Sequence, residues 1–163
     1  MKIVIKIIRF IATLAIGAVS GIYYITKLKN KDLDRISKKV NKFRGYYNVL
    51  NQWMLLKNQG KSLTEYFNDN GYTSIAIYGM GEVGNRLYEE LKNSEIEVKY
   101  AIDKSAGSAY AELSVYDPED EFDTVDTIVV TAVFDFDEIE KDLIKKTDIP
   151  VISLEEVVFG IRV

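Results

Sequence analysis

The chain has 163 residues, of which 47% are hydrophobic, and its formal net charge at pH 7 is −4. This length suits one domain of ordinary size with an additional segment, and the composition is typical of a folded protein. The sequence contains no Cys and no His. Disulfides, cysteine nucleophiles, Cys/His zinc sites and imidazole catalysis are therefore excluded.

The charge is distributed unevenly along the chain. Residues 1–61 hold thirteen Lys and Arg against two Asp, a balance of +11. Residues 62–163 hold eight Lys and Arg against twenty-three Asp and Glu, a balance of −15. Phosphate contacts need basic side chains, so the acidic C-terminal part is not expected to bind nucleic acid. The two parts are expected to meet different partners.

Residues 1–30 predict a transmembrane anchor. A run of sixteen mostly apolar residues extends from Phe10 to Ile25, and Lys6 and Arg9 before it can lengthen the span by reaching lipid headgroups. A cleaved signal peptide and a helix lying in the membrane plane are the alternatives. The many basic residues after the run predict a single-pass protein of the inner (cytoplasmic) membrane, with its C-terminal domain in the cytoplasm.

Residues 31–72 are predicted to be an amphipathic helical region. Its apolar residues occupy the a and d positions of a heptad for three repeats. These residues are Leu33, Ile36, Val40, Phe43, Tyr47, Leu50 and Met54. Two interpretations stay open: the stripe packs on the chain's own α/β domain, or it pairs with a second copy as a coiled coil.

Each interpretation of the stripe has its own support. The apolar face widens toward its end, through Tyr46, Trp53 and Leu56, which favours packing of the second half within the chain. Small residues recur every four positions in the predicted anchor, a pattern that favours helix pairing. A homodimer through residues 10–54 is therefore a hypothesis.

Residues 73–163 predict an α/β domain with a Rossmann-like, five-stranded parallel sheet in the order 3-2-1-4-5. Short apolar runs predict strands at residues 75–78, 98–102, 113–116, 127–131 and 151–153. Helical patterns separate most of them, including residues 135–146, and residues 154–159 close the domain. Right-handed crossovers between these elements give the stated strand order.

A glycine pattern follows the first strand. Gly79, Gly81 and Gly84 have the G-x-G-x-x-G spacing, and Asp103 closes the second strand. In a dinucleotide-binding unit the first glycine permits a tight turn, the second lets a pyrophosphate approach the backbone, and the third lets helix and sheet pack closely. The amides at the helix start would bind phosphate. Asp103 would bind ribose hydroxyls, and its charge favours NAD over NADP.

The predicted cofactor-binding residues lie where three strands end. They are Gly79, Met80, Gly81, Glu82, Val83, Gly84, Asp103, Lys104, Thr131 and Ala132. Glu82 puts a negative charge beside the phosphate position, so an empty scaffold is the alternative to a working site.

No catalytic residue and no metal ligand is predicted. Tyr100 and Lys104 have the Tyr-x-x-x-Lys spacing of short-chain dehydrogenases, but they lie on a strand, where four residues span about 13 Å. Asp135 and Asp137 resemble a metal-binding D-x-D motif, which the start of a helix explains better.

Three segments resemble the nucleotide-binding Rossmann domains of bacterial surface-polysaccharide biosynthesis proteins. They are IAIYGMGEVGNRLYEEL, VKYAIDK and DTIVVTAVFDFDEIEKDL. Such domains precede the catalytic part in membrane-bound nucleotide-sugar dehydratases and in sugar acyltransferases. The resemblance covers residues 74–159. It implies that the glycines and Asp103 bind NAD(P) or a UDP-linked sugar, and that polysaccharide-biosynthesis enzymes are partners.

The expected function follows from this resemblance and from what the chain lacks. The catalytic half of those families has no counterpart here, so a stand-alone enzyme is not expected. We expect a membrane-anchored binding module for NAD(P) or a nucleotide-sugar, accessory or regulatory in capsular or exopolysaccharide biosynthesis. The alternatives are an NAD-dependent nucleotide-sugar modifying enzyme completed by a partner subunit, and a structural scaffold with a vestigial site.

Overall fold

A computed structural model of the chain describes residues 2–104 and 113–162. The chain divides into two compact units, Met1–Phe43 and Arg44–Val163. The predicted domain boundary near residue 30 falls inside the first helix, and the one near residue 72 falls inside the second unit.

The described residues form five α-helices and five strands. The helices are α1 (Lys2–Asn58), α2 (Thr64–Asp69), α3 (Glu82–Leu91), α4 (Phe136–Leu143) and α5 (Leu154–Gly160). The strands are β1 (Ser74–Tyr78), β2 (Glu97–Ile102), β3 (Ser114–Tyr116), β4 (Thr127–Val130) and β5 (Val151–Ser153). A 3-10 turn at Val133–Asp135 precedes α4.

The five strands form one parallel sheet in the order β3-β2-β1-β4-β5, which confirms the predicted order. Tyr78 pairs with Ile102 on one side and with Val130 on the other. The carboxyl ends of the three central strands therefore lie side by side. Strands β2 and β4 flank β1, which makes this edge the point where the strand order reverses and where ligands bind in open α/β sheets.

Each face of the sheet carries its own apolar core, because successive strand residues point to opposite faces. One core contains the end of α1 with α2, α3 and α5. Its members include Val49, Trp53, Leu56, Phe67, Leu87, Leu91, Leu154 and Val157. The other core contains α4 and the residues before β4. Its members include Tyr100, Ile102, Val125, Ile128, Val130 and Leu143.

The last turns of α1 pack inside the second unit. Val49, Trp53 and Leu56 are buried, which confirms the predicted packing of this half within the chain. The packed face is not the predicted stripe, however, since Tyr47 and Met54 stay exposed. Residues 49, 53 and 56 also repeat at spacings of four and three, so the helix has two apolar faces.

None of the helices in the described residues is long and apolar enough to cross a membrane. The transmembrane anchor predicted in residues 1–30 is therefore not found there. The apolar run from Phe10 to Ile25 has sixteen residues, fewer than the about 20 that a transmembrane helix needs.

Two further expectations need correction or lie outside the described residues. The predicted helix at residues 135–146 is shorter, because its start is the 3-10 turn and α4 ends at Leu143. The loop predicted after Asp103 lies, beyond Lys104, outside the residues that the structure describes.

The Glu90 carboxylate on α3 joins three helices on one face of the sheet. It accepts hydrogen bonds from the Trp53 indole N–H at 2.6 Å and from the Leu63 backbone N–H at 2.9 Å. The Ser62 hydroxyl lies 3.2 Å away, and so does the Lys57 ammonium. The Glu90 side chain is only 6% exposed. Glu90 therefore connects α3 to the end of α1 and the start of α2.

We expect Glu90→Ala to lower the free energy of unfolding by about 2–4 kcal/mol, because it leaves buried donors without their acceptor. The measurement is urea denaturation followed by fluorescence of Trp53, the single tryptophan. Glu89→Ala is the matched control: Glu89 pairs with Lys92 on the surface, and such pairs contribute at most about 1 kcal/mol. Equal losses in the two variants would contradict this account.

Candidate functional site

The chain leaves β1 through a turn at residues 79–84, which we call the glycine turn. Gly79 has a φ of +92°, in the left-handed region that side chains with a Cβ rarely adopt. Its N–H donates to the Ile102 carbonyl at 2.8 Å, so the turn is tied to the end of β2. A Cβ at Gly79 would also lie 3.0 Å from the Thr131 hydroxyl. Glycine is therefore required at this position.

Gly84 lets α3 approach the turn closely. A Cβ at this position would lie 2.1 Å from the Gly79 carbonyl oxygen, a distance that a real Cβ cannot adopt. Gly79 and Gly84 therefore have the two packing roles that the sequence predicts for the first and third glycines.

Gly81 is different from its two neighbours in the pattern. Its φ of −70° suits any residue, and a Cβ there would meet nothing within 4 Å. No neighbouring group in the described structure therefore requires glycine at position 81. The space beside it is open.

That open space lies at the start of α3. Gly81 is the N-cap residue, and the first N–H groups of a helix have no acceptor inside the helix. Together with the helix dipole, these N–H groups favour an anion at this end. Glu82 and Val83 occupy the first turn, and the Glu82 side chain is exposed.

Asp103 lies directly beside the glycine turn. It follows β2, and its Oδ2 accepts a hydrogen bond from the Met80 N–H at 2.7 Å. The structure therefore brings Asp103 close to the glycines, which lie 19 to 24 residues before it in the sequence. Lys104, the next residue, is exposed.

Thr131, which directly follows β4, is hydrogen-bonded to the glycine turn. Its side chain is buried, and its hydroxyl donates to the Gly79 carbonyl at 2.6 Å. Its backbone N–H donates to the Tyr78 carbonyl at 3.0 Å. Thr131 was predicted to contact a ligand; here its hydroxyl holds the turn in place. Ala132, which follows it, is half-buried.

Asn85 belongs to this site and was missed from the sequence. Its Nδ2 donates to the Met80 carbonyl at 3.2 Å and to the Gly81 carbonyl at 2.9 Å. Both partners are carbonyl oxygens, which can only accept hydrogen bonds, so the side-chain amide must direct its Nδ2 and not its Oδ1 toward them. Its Oδ1 is buried and has no donor within the described structure. Buried acceptors are nearly always satisfied, so this atom calls for a hydroxyl, an N–H group or a water molecule.

A cleft of about 410 Å³ opens at the carboxyl edge of the sheet, on the side of α4. Gly79, Asp103 and Lys104 are the predicted site residues that line it. The remaining lining residues were not predicted, and they are Tyr78, Pro118, Glu119, Asp135, Glu138, Ile139, Asp142, Leu143 and Lys146. The sequence could have indicated them only through their position after a predicted strand, since the residues that follow parallel strands lie together at the carboxyl edge of the sheet.

The cleft is acidic. Five of its lining side chains are carboxylates and two are ammonium groups. One ammonium, that of Lys146, is 2.6 Å from the Glu119 carboxylate. Burial raises the pKa of Tyr78, and the Asp103 and Asp142 carboxylates raise this pKa further. Tyr78 therefore keeps its proton at neutral pH. Such a cleft favours cations and hydrogen-bond donors and disfavours anions.

The described residues contain no group of three or more acidic side chains placed to hold a metal ion. We assign no catalytic role to the carboxylates of the cleft.

A family model described as C2185-like, N-terminal, matches residues 71–152. The match covers half of the chain. The chain belongs to this family. No curated protein and no solved structure matches the chain significantly. The C2185-like N-terminal domain includes the whole glycine turn, Asp103 and every residue that lines the cleft.

We expect Gly84→Ala to lower the free energy of unfolding of this domain by about 3 kcal/mol or more, because the new Cβ overlaps the Gly79 carbonyl. Gly81→Ala is the matched control. It should cost less than about 1 kcal/mol, the range for an unfavourable N-cap residue. Thermal and urea denaturation measure both values. A Gly81→Ala variant as unstable as Gly84→Ala would show that packing also requires Gly81.

Proposed function

We propose that the C2185-like N-terminal domain binds a nucleotide-type ligand, NAD(P) or a nucleotide-sugar, at the glycine turn. The observation that carries this proposal is Gly81. Packing accounts for Gly79 and Gly84, whereas nothing in the described structure requires a glycine at position 81. A ligand that must approach the backbone closely supplies that requirement.

The polar groups around Gly81 support the same ligand class. In this proposal the phosphates lie on the first-turn N–H groups of α3, where the helix dipole favours negative charge. The Asp103 carboxylate accepts hydrogen bonds from ribose hydroxyls, and its charge disfavours the 2′-phosphate of NADP.

The charge of the cleft restricts where each part of the ligand lies. Phosphates are disfavoured beside Asp135, Glu138 and Asp142, so in this proposal they stay at the helix start, outside the cleft. Sugar hydroxyls readily donate hydrogen bonds to carboxylates. The proposal therefore directs the sugar, uncharged and rich in hydroxyls, toward the cleft.

A second candidate is a scaffold that has kept the fold without a ligand. The specific observation in its favour is negative charge: Glu82 lies in the first turn of α3, and the cleft lined by Gly79 and Asp103 is acidic. An enzyme completed by a partner subunit stays an alternative without an observation of its own. An accessory role in polysaccharide biosynthesis is part of the proposal and rests on the resemblance of the three sequence segments.

Calorimetry on the full chain in detergent, with NADH, NADPH, UDP-sugars and CMP-sugars in turn, tests the proposal. We expect saturable binding of one class, and an affinity loss of at least about tenfold in Gly81→Val, because the valine fills the space that the ligand occupies. Gly45→Val is the matched control. Gly45 also has open space around it, but it lies on α1, so this variant should bind as the wild type does.

The possible results separate the two candidates. Binding that Gly81→Val abolishes, with an unfolding transition close to that of the wild type, supports the nucleotide site. The absence of binding by all four ligand classes would contradict it and favour the scaffold.

We further propose that the first unit associates with a membrane. Large apolar side chains are exposed along the start of α1, including Phe10, Leu14 and Val19. The basic residues that follow them would be attracted to anionic headgroups. Membrane fractionation of expressing cells tests this: the full chain should sediment with membranes, and a chain lacking residues 1–30 should not. Carbonate extraction of the membranes reports the mode of attachment. A full chain that stays in the supernatant would contradict the proposal.

A further inference from the structure

Seven apolar residues of α1 form a continuous row, which we call the heptad stripe. They are Leu33, Ile36, Val40, Phe43, Tyr47, Leu50 and Met54. All seven are exposed, and Phe43 is 74% exposed. The sequence left open whether the row packs on the chain's own domain. The exposure shows that neither unit covers its own part of the row.

The end of α1 shows why the chain's own domain does not cover the stripe. Val49, Trp53 and Leu56 are buried in the second unit, and they lie on one side of the helix. At 100° per residue, Tyr47, Leu50 and Met54 lie roughly 125° away from that side. The second unit therefore covers one face of the end of this helix and leaves its own part of the stripe on the other.

The exposed area of the heptad stripe is comparable to the area that one partner buries in a protein interface. If a large apolar side chain has about 200 Å² of accessible surface, the observed exposures leave on the order of 800 Å² uncovered. A standard protein interface buries about the same area on each partner. Monomeric proteins rarely expose a continuous apolar patch of this size.

We infer that the heptad stripe pairs with the same stripe of a second copy of this chain as a two-helix coiled coil. The alternating spacings of three and four keep the stripe on one side of the helix for about 33 Å. The partner must therefore be a helix with the same repeat. A second copy supplies an identical stripe, as a two-fold symmetric interface requires.

The placement of charge around the stripe favours a second copy over an acidic partner. Of the basic side chains between residues 31 and 54, only Lys39 and Arg44 occupy the e and g positions that flank the stripe. The others lie at outer positions, and they are Lys31, Arg35, Lys38 and Lys42. An acidic helix would be selected by basic residues along both flanks, whereas only two of the seven flanking residues are basic and a third, Asp32, is acidic. In a parallel pair Lys39 of one copy faces Arg44 of the other, so the apolar contacts of the stripe must outweigh this like-charge contact.

Sedimentation equilibrium of the full chain in detergent tests the inference. We expect a protein mass of about twice 18.6 kDa, at low salt and also at about 0.5 M NaCl, because apolar contacts are not screened. Val40→Glu combined with Phe43→Glu should weaken dimerisation at least about 100-fold. Both residues are exposed in the single chain, so circular dichroism should show unchanged helicity.

The matched control puts the same new charges on the outer side of the helix. Asn41→Glu combined with Asn48→Glu changes two exposed residues outside the stripe, and this variant should remain a dimer. A monomeric wild type at all concentrations would overturn the inference, and so would equal weakening by the two double variants. A dimer that dissociates when only the salt concentration is raised would overturn the inference too, because it would show that charges and not apolar contacts hold the two copies together.

Cysteine crosslinking supplies a second measurement, since the chain has no cysteine of its own. Position 43 lies at the middle of the stripe, so two copies bring it close to itself in parallel and in antiparallel pairing. Phe43→Cys should form a disulfide-linked dimer on mild oxidation. Lys38→Cys, on the opposite side of the helix, should not, and equal crosslinking of both would contradict the inference.

Discussion

The close approach of α3 to the end of β1 determines the geometry of the candidate site. The approach is possible only because Gly84 has no side chain, since a Cβ there would lie 2.1 Å from the Gly79 carbonyl oxygen. The same carbonyl accepts the hydroxyl of Thr131 from β4, and the Gly79 N–H donates to the end of β2. The ends of three neighbouring strands and one helix therefore meet at one residue, Gly79. The N–H groups that start α3, the open space at Gly81 and the Asp103 carboxylate are all positioned by this contact.

This edge of the sheet has two electrostatic environments next to each other. The start of α3 presents backbone N–H groups, which favour an anion. The cleft on the side of α4 presents carboxylates, which favour hydroxyls or cations. A ligand with phosphates at one end and a sugar at the other matches both environments, and a simple anion matches only one. The arrangement therefore restricts the ligand more than the glycine pattern does alone.

The sheet could be predicted from the sequence because its signals are local. Buried parallel strands appear as continuous apolar runs, such as residues 127–130, and the glycine spacing identifies the turn that joins β1 to α3. With the rule for right-handed crossovers, these signals were enough for the strand order. Asp103 was predicted for the same reason, since it directly follows a recognisable strand.

The features that could not be predicted depend on contacts between distant parts of the chain. Helix α1 has two apolar faces, and the sequence does not say which one the domain covers. Trp53 belongs to the covered face, where the Glu90 carboxylate accepts its indole N–H. The Asn85 amide resembles any polar residue near a helix start until its two carbonyl partners are seen. The acidic lining of the cleft depends on the position of α4, which no local pattern specifies.

The central claim is that the first-turn N–H groups of α3 and the open space at Gly81 bind the phosphates of a nucleotide. Amide NMR of the ¹⁵N-labelled full chain, titrated with NADH and then with a UDP-sugar, observes those groups directly. The account predicts saturable shifts of the Gly81, Glu82 and Val83 amides with one of the two ligands, and small shifts on α5. Amides of the glycine turn that stay unchanged with both ligands, at concentrations up to several millimolar, would contradict it.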